Sequence, residues 1–156
     1  MNAVSHAGVA PDAGLVSFFA ADHRACDLDW AAVERAADSD PAAAQAAFAH
    51  FDAALRNHLA MEEEVLFPAF EAATGMTHGP TTVMRMEHVQ MRGLLDQMAQ
   101  AARGGAWQDV LDHGDTLLMV IGQHNAKEEG MLYPMAQMHL GQEWPEISTK
   151  LARYLG

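Results

Sequence analysis

The chain predicts an all-α protein, an antiparallel up-down four-helix bundle closed by a short C-terminal helix. Three observations carry that expectation. Apolar residues recur at helical spacing, Gly and Pro cut the chain into four long segments, and no segment alternates with the period of two that a half-buried strand needs. Segments of roughly 25 to 35 residues joined by short turns favour antiparallel neighbours.

The elements follow in order. Residues 1–11 are expected to form a flexible N-terminus and residues 12–156 the bundle. The first helix carries Leu15, Phe18, Phe19, Cys26, Trp30 and Val33 at helical spacing. "SDP" then stops and restarts the chain, with Asp40 as N-cap and Pro41 at the first helical position. An Ala-rich run is a strong helix former and continues to about Thr74, where Gly75 closes it. A third helix opens near Pro80 and closes at Gly104 and Gly105. The fourth runs from about Ala106 to Leu140 and stops at Gly141. "EWPEISTKLARY" reads as a short fifth helix packed on the outside.

Composition excludes several classes. A chain of 156 residues fits one domain with a substantial core. Its formal charge of −12 repels phosphate backbones and anionic lipid, so neither nucleic acid nor a membrane is an expected partner. Cys26 is the only cysteine, which rules out an intramolecular disulfide and suits a reducing compartment. No basic-then-apolar leader is visible and no apolar run approaches the ~18 residues of a membrane span. A cytoplasmic location is expected.

Nine histidines are unusual, and a repeat organises four of them. Residues 58–71 read "HLAMEEEVLFPAFE" and residues 124–137 read "HNAKEEGMLYPMAQ", sharing the frame H-x-A-x-E-E-x-x-L-[F/Y]-P. His23 in the first half has its counterpart in His88 of the second. Residues four apart on a helix lie about 40° from each other in projection, so His58 shares a face with Glu62, and His124 with Glu128. Matched distances from the turns bring His23 level with His58, and His88 level with His124. Six metal-ligand side chains would then meet in the middle of the bundle. A single H-x-x-x-E arises by chance on many helices; two in register, each preceded by a third histidine, point to a metal site. Glu129, five residues after His124, would turn about 140° off that face on a regular helix, and becomes an alternative to Glu128 if the helix is distorted.

This pattern resembles the hemerythrin-like, or HHE cation-binding, family over about residues 12–140. The resemblance implies a non-haem di-iron centre with an oxo or hydroxo bridge. His23, His58, His88 and His124 would be terminal ligands, and Glu62 and Glu128 bridging carboxylates. Oxygen carriers of the family add a fifth histidine from an H-x-x-x-H pair on the third helix. Here Met84 and Arg92 flank His88 at four residues either side, so the chain is closer to the four-His, two-Glu branch. That branch implies binding or sensing of O2 or NO. The alternative is a di-iron redox enzyme or an iron-handling factor, serving NO reduction, peroxide removal or repair of iron centres.

Imidazole and carboxylate together suit iron or manganese, and zinc also takes these ligands; the resemblance implies two iron ions, with manganese or zinc as substitutes. Asp27 and Glu129 are candidates for supporting the ligands, and Met84, one turn from His88, for lining a small-ligand pocket. Asp22 and Glu87 each precede a paired histidine, which hints at an acid that supports the ligands or faces the surface in both halves. The methionines of the third and fourth helices read as adaptable core filler rather than copper ligands. Pro68 and Pro134 withhold a donor from the carbonyls of Glu64 and Gly130, and are expected to bend their helices one turn past the metals.

Overall fold

A computed structural model describes residues 14–156. The expected flexible segment at residues 1–11 lies outside the described residues. The four long helices are α1 (Leu15–Ala37); α2 (Pro41–Met61) continued by α3 (Phe67–Thr74); α4 (Pro80–Arg103); and α5 (Trp107–Lys127) continued by α6 (Tyr133–Leu140). A 3-10 turn, Gly141–Glu143, leads into α7 (Trp144–Leu151). No strand occurs among the described residues.

The punctuation acts as its chemistry requires. The Asp40 carboxylate accepts from the Ala43 N–H at 3.1 Å, and Pro41 occupies a position where a missing N–H costs nothing. Gly75 ends α3 at a φ of 72°, a left-handed conformation that glycine adopts without a Cβ penalty. Helix α1 packs chiefly on α2 and α4 on α5, giving two helical hairpins that close on each other.

The prolines follow turns whose hydrogen-bond register differs from the expected one. Each is preceded by a π-helical turn, Glu62–Leu66 and Glu128–Leu132, in which the Phe67 and Tyr133 N–H groups bond to the carbonyls of Glu62 and Glu128. Residues five apart are therefore stacked along these turns. The carbonyl that Pro68 deprives in this register is that of Glu63, five residues back, and Arg85 Nη1 donates to it at 3.4 Å. The distortion thus begins at the carboxylates themselves, one turn earlier than the prolines imply.

A polar layer divides the core. One apolar cluster contains Phe18, Phe19, Met61, Phe67, Phe70 and Tyr133; the other contains Trp30, Phe51, Leu59, Met91, Leu95 and Leu117. His23, His88 and His124 fall between the two along their helices, and His58 stands at the same boundary beside Leu59 of the second cluster. Helix α7 is more than an outer layer. Trp144, Ile147 and Leu151 are buried in the first cluster, with the Trp144 ring 5.8 Å from that of Phe18. Met84, Met91 and Met98 fill core positions as expected. Met86, Met119, Met131 and Met138 are exposed, because they lie off the inward phase of their helices. No described helix is long and apolar enough to cross a membrane.

Candidate metal centre

All six residues singled out by the repeat meet in the buried layer between the two apolar clusters. His23, His58, His88, His124, Glu62 and Glu128 are each at most 5% exposed. They form two groups, His23–His58–Glu62–Glu128 and Glu62–His88–His124–Glu128, in each of which one donor atom per residue lies within 4.8 Å of all the others. The two carboxylates belong to both groups. His58 Nε2 and His88 Nε2 stand 3.3 and 3.2 Å from Glu62 Oε1, and His23 Nε2 and His124 Nε2 each stand 3.1 Å from Glu128 Oε1.

Each imidazole is anchored from behind by a carboxylate on a neighbouring helix. His23 Nδ1 meets Glu129 at 3.0 Å, His58 Nδ1 meets Asp22 at 2.6 Å, His88 Nδ1 meets Glu63 at 2.9 Å and His124 Nδ1 meets Glu87 at 2.9 Å. An ionised carboxylate only accepts, so Nδ1 carries a proton, and a ring that holds a metal turns its Nε2 lone pair inward. Arg92 donates to Glu63 at 2.7 Å and Lys127 pairs with Glu87, which holds those two acids in place.

The inward-facing atoms lack partners. The Nε2 atoms of His58, His88 and His124, with Glu62 Oε1 and Glu128 Oε2, are buried and make no hydrogen bond. Buried polar atoms without hydrogen-bond partners are rare, and five of them converging from imidazoles and carboxylates is the donor set of a cation cage. Metal-free, the cluster balances its carboxylates with protons. Burial disfavours a charged His58, yet Glu62 and Asp22 outweigh it and hold the imidazole well above its usual range. Burial works against His124 in the same way, but Glu128 and Glu62 raise it to about 10. Burial would lift Glu62, and His58 with its other partners instead holds it well below the usual carboxylate range.

Sequence reasoning missed Tyr133. Its buried hydroxyl donates at 2.7 Å to Glu62 Oε2 and at 3.0 Å to Glu128 Oε1, and lies 3.0 Å from His23 Nε2. Burial, then Glu128 and Glu62, push it well above the usual tyrosine value, so without metal it remains an O–H donor. Five residues separate Tyr133 from Glu128, a spacing that a regular helix turns away and the π-turn brings together. The [F/Y]-P position of the repeat was the available signal.

The remaining candidates separate. Glu129 supports His23 through Nδ1 rather than pointing inward with Glu128. Asp27 lines a cavity beside the cluster, and burial raises its carboxyl above the usual range. Met84 is buried in the apolar cluster with Phe67 and Tyr133, and the methionine lining that cavity is Met91. The cavity measures about 10 Å³, room for one water-sized molecule. Trp30, Leu55, Leu59, Met91, Leu118 and Ile121 give it apolar walls, and His23, His58 and His124 border it. His50 pairs with Asp29 at 3.2 Å on the surface, away from the centre.

Helical bundle and buried His/Glu cluster together define a metal-cation-binding protein. Residues 14–136 match the family model for the hemerythrin HHE cation-binding domain, and the chain belongs to that family. No curated protein and no solved structure matches it.

Proposed function

We propose that the protein binds O2 or NO at a di-iron centre. His23 and His58 hold one ion, His88 and His124 the other, and Glu62 and Glu128 are shared between them. The observation that carries this reading is the set of unpartnered inward atoms, each imidazole aimed by a carboxylate behind it. Four neutral imidazoles against two carboxylates leave the inner set of ligands net positive once two divalent ions enter, which favours electron-rich small ligands over dense iron storage. Bound there, two ferrous ions supply two electrons and ligand positions for a diatomic. The residues do the rest: the four outer acids fix the rings, and the apolar walls of the small neighbouring cavity keep bulk water from the histidines that border it.

Anaerobic loading with Fe(II) followed by O2 or NO tests the proposal. Two irons per chain and a visible spectrum that reverses under vacuum are the expected results. Fast irreversible oxidation favours the redox or iron-handling role instead. Uptake well below two irons per chain, unaffected by His58→Ala or Glu128→Ala, would exclude the centre altogether.

A further inference from the structure

The two halves of the metal layer are near copies in their inward-facing side chains, and the one difference among the groups that reach the centre is a hydroxyl. The Phe67 ring lies 5.5 Å from the His88 ring at 30°, and the Tyr133 ring lies 5.5 Å from the His23 ring at the same angle. The paired histidines also match, His23–His58 at 4.7 Å and His88–His124 at 4.9 Å. Phenylalanine thus satisfies the packing at this position. The Tyr133 oxygen is an addition, and it points into the centre.

We propose that the Tyr133 hydroxyl is a further oxygen ligand to the metal held by His23 and His58, making the two metal positions chemically unequal. The proposal rests on the dimetal reading above and deepens it. Ligands about 2.1 Å from a metal on perpendicular axes lie about 3.0 Å apart. The Tyr133 oxygen is 2.7, 3.0 and 3.0 Å from Glu62 Oε2, Glu128 Oε1 and His23 Nε2, within the spacing of neighbouring donors. The histidine-to-carboxylate distances of 3.1 to 3.3 Å around the same layer follow the same rule.

The surroundings of the hydroxyl point the same way. Its three polar neighbours are all atoms of the proposed ligands, so a cation drawn in by them comes beside the hydroxyl oxygen as well. Ligation forms one metal–oxygen bond and releases the phenol proton to solvent, with no electron transferred. The His88/His124 position has Phe67 at the equivalent point and gains no such donor, so it remains the more open place for a diatomic.

The test compares wild type with Tyr133→Phe, which installs the residue already present at the matching position. Both are loaded anaerobically with Fe(II), oxidised to Fe(III), and examined by visible absorption and resonance Raman scattering. Stepwise binding of Co(II) to the metal-free proteins is followed by calorimetry. Wild type should show a phenolate-to-Fe(III) band with tyrosine ring vibrations, and two Co(II) steps of unequal affinity. Tyr133→Phe should still take two metals, lack the band, and bind the tighter one about tenfold more weakly. A wild-type spectrum without phenolate vibrations overturns the proposal even if the variant fails to fold. Identical Co(II) steps in the two proteins overturn it too. Absence of metal uptake by wild type is a different result, since it removes the dimetal centre itself.

Discussion

At the scale of single residues, the centre depends as much on the acids behind the histidines as on the histidines. Asp22 and His58 make the shortest of the four contacts, 2.6 Å, with both side chains buried. Glu129 is 40% exposed where it meets His23, and water can replace part of its role. Outer partners of this kind typically contribute about tenfold to a hundredfold in metal affinity. Asp22→Asn should therefore weaken metal binding by about 100-fold, and Glu129→Gln by about tenfold, as read by competition with a coloured chelator; equal effects would show that burial does not set their importance. The six inward donors were legible because they recur in register along the chain. Their acid partners were only hinted at, because each pairing crosses between helices, and spacing along one helix says nothing about its neighbour. Tyr133 stayed hidden for a different reason: five residues is the wrong spacing on the regular helix that the sequence suggests.

At the scale of elements, adjacent acids at the head of each π-turn serve different helices. Glu62 faces inward while Glu63 reaches His88 on α4; Glu128 faces inward while Glu129 reaches His23 on α1. Helix starts and stops were readable from Asp40, Pro41, Gly75 and Pro80, whose backbone preferences act locally. The π-turns were not, since a proline signals a break in the ladder without saying how the preceding turn absorbs it. Packing between helices sets a second local demand. A Cβ on Gly114 of α5 would stand 2.2 Å from the Trp30 ring of α1, so this glycine is a close-approach position between helices. Gly114→Ala should cost about 1–3 kcal/mol through overpacking, against the gain in helix propensity, as measured by urea denaturation. Gly122→Ala on the same helix meets no atom within 4 Å and should be neutral or stabilising. The reverse order of the two variants would show that Trp30 moves aside freely.

Across the whole molecule, one buried polar layer between two apolar clusters ties folding to the state of the metal centre. Without metal, the native fold holds protons on His58 and His124 more firmly than the unfolded chain does. Stability from such raised groups is complete below the ordinary histidine value of about 6.5 and is lost as pH rises toward the folded value, about 10 for His124. Glu62 has the opposite sign: its contribution is complete above the ordinary carboxylate range and is lost only in acid, as pH falls through its depressed folded value. Cys26 and Tyr133, both kept neutral chiefly by burial, push in the same direction as the histidines at alkaline pH. The metal-free protein should therefore melt at progressively lower temperature between pH 6.5 and 9. A metal ion offsets the trend, because it replaces those protons and its apparent affinity rises about tenfold per pH unit for each proton displaced. Thermal scans at pH 6.5 and 8.5, with and without two equivalents of Zn(II), check both halves of the argument. The stabilisation by metal should be larger at the higher pH, through a fall in the metal-free midpoint and a gain in binding. A metal-free midpoint that holds or climbs over this interval would mean that the buried carboxylates are balanced by something other than histidine protons.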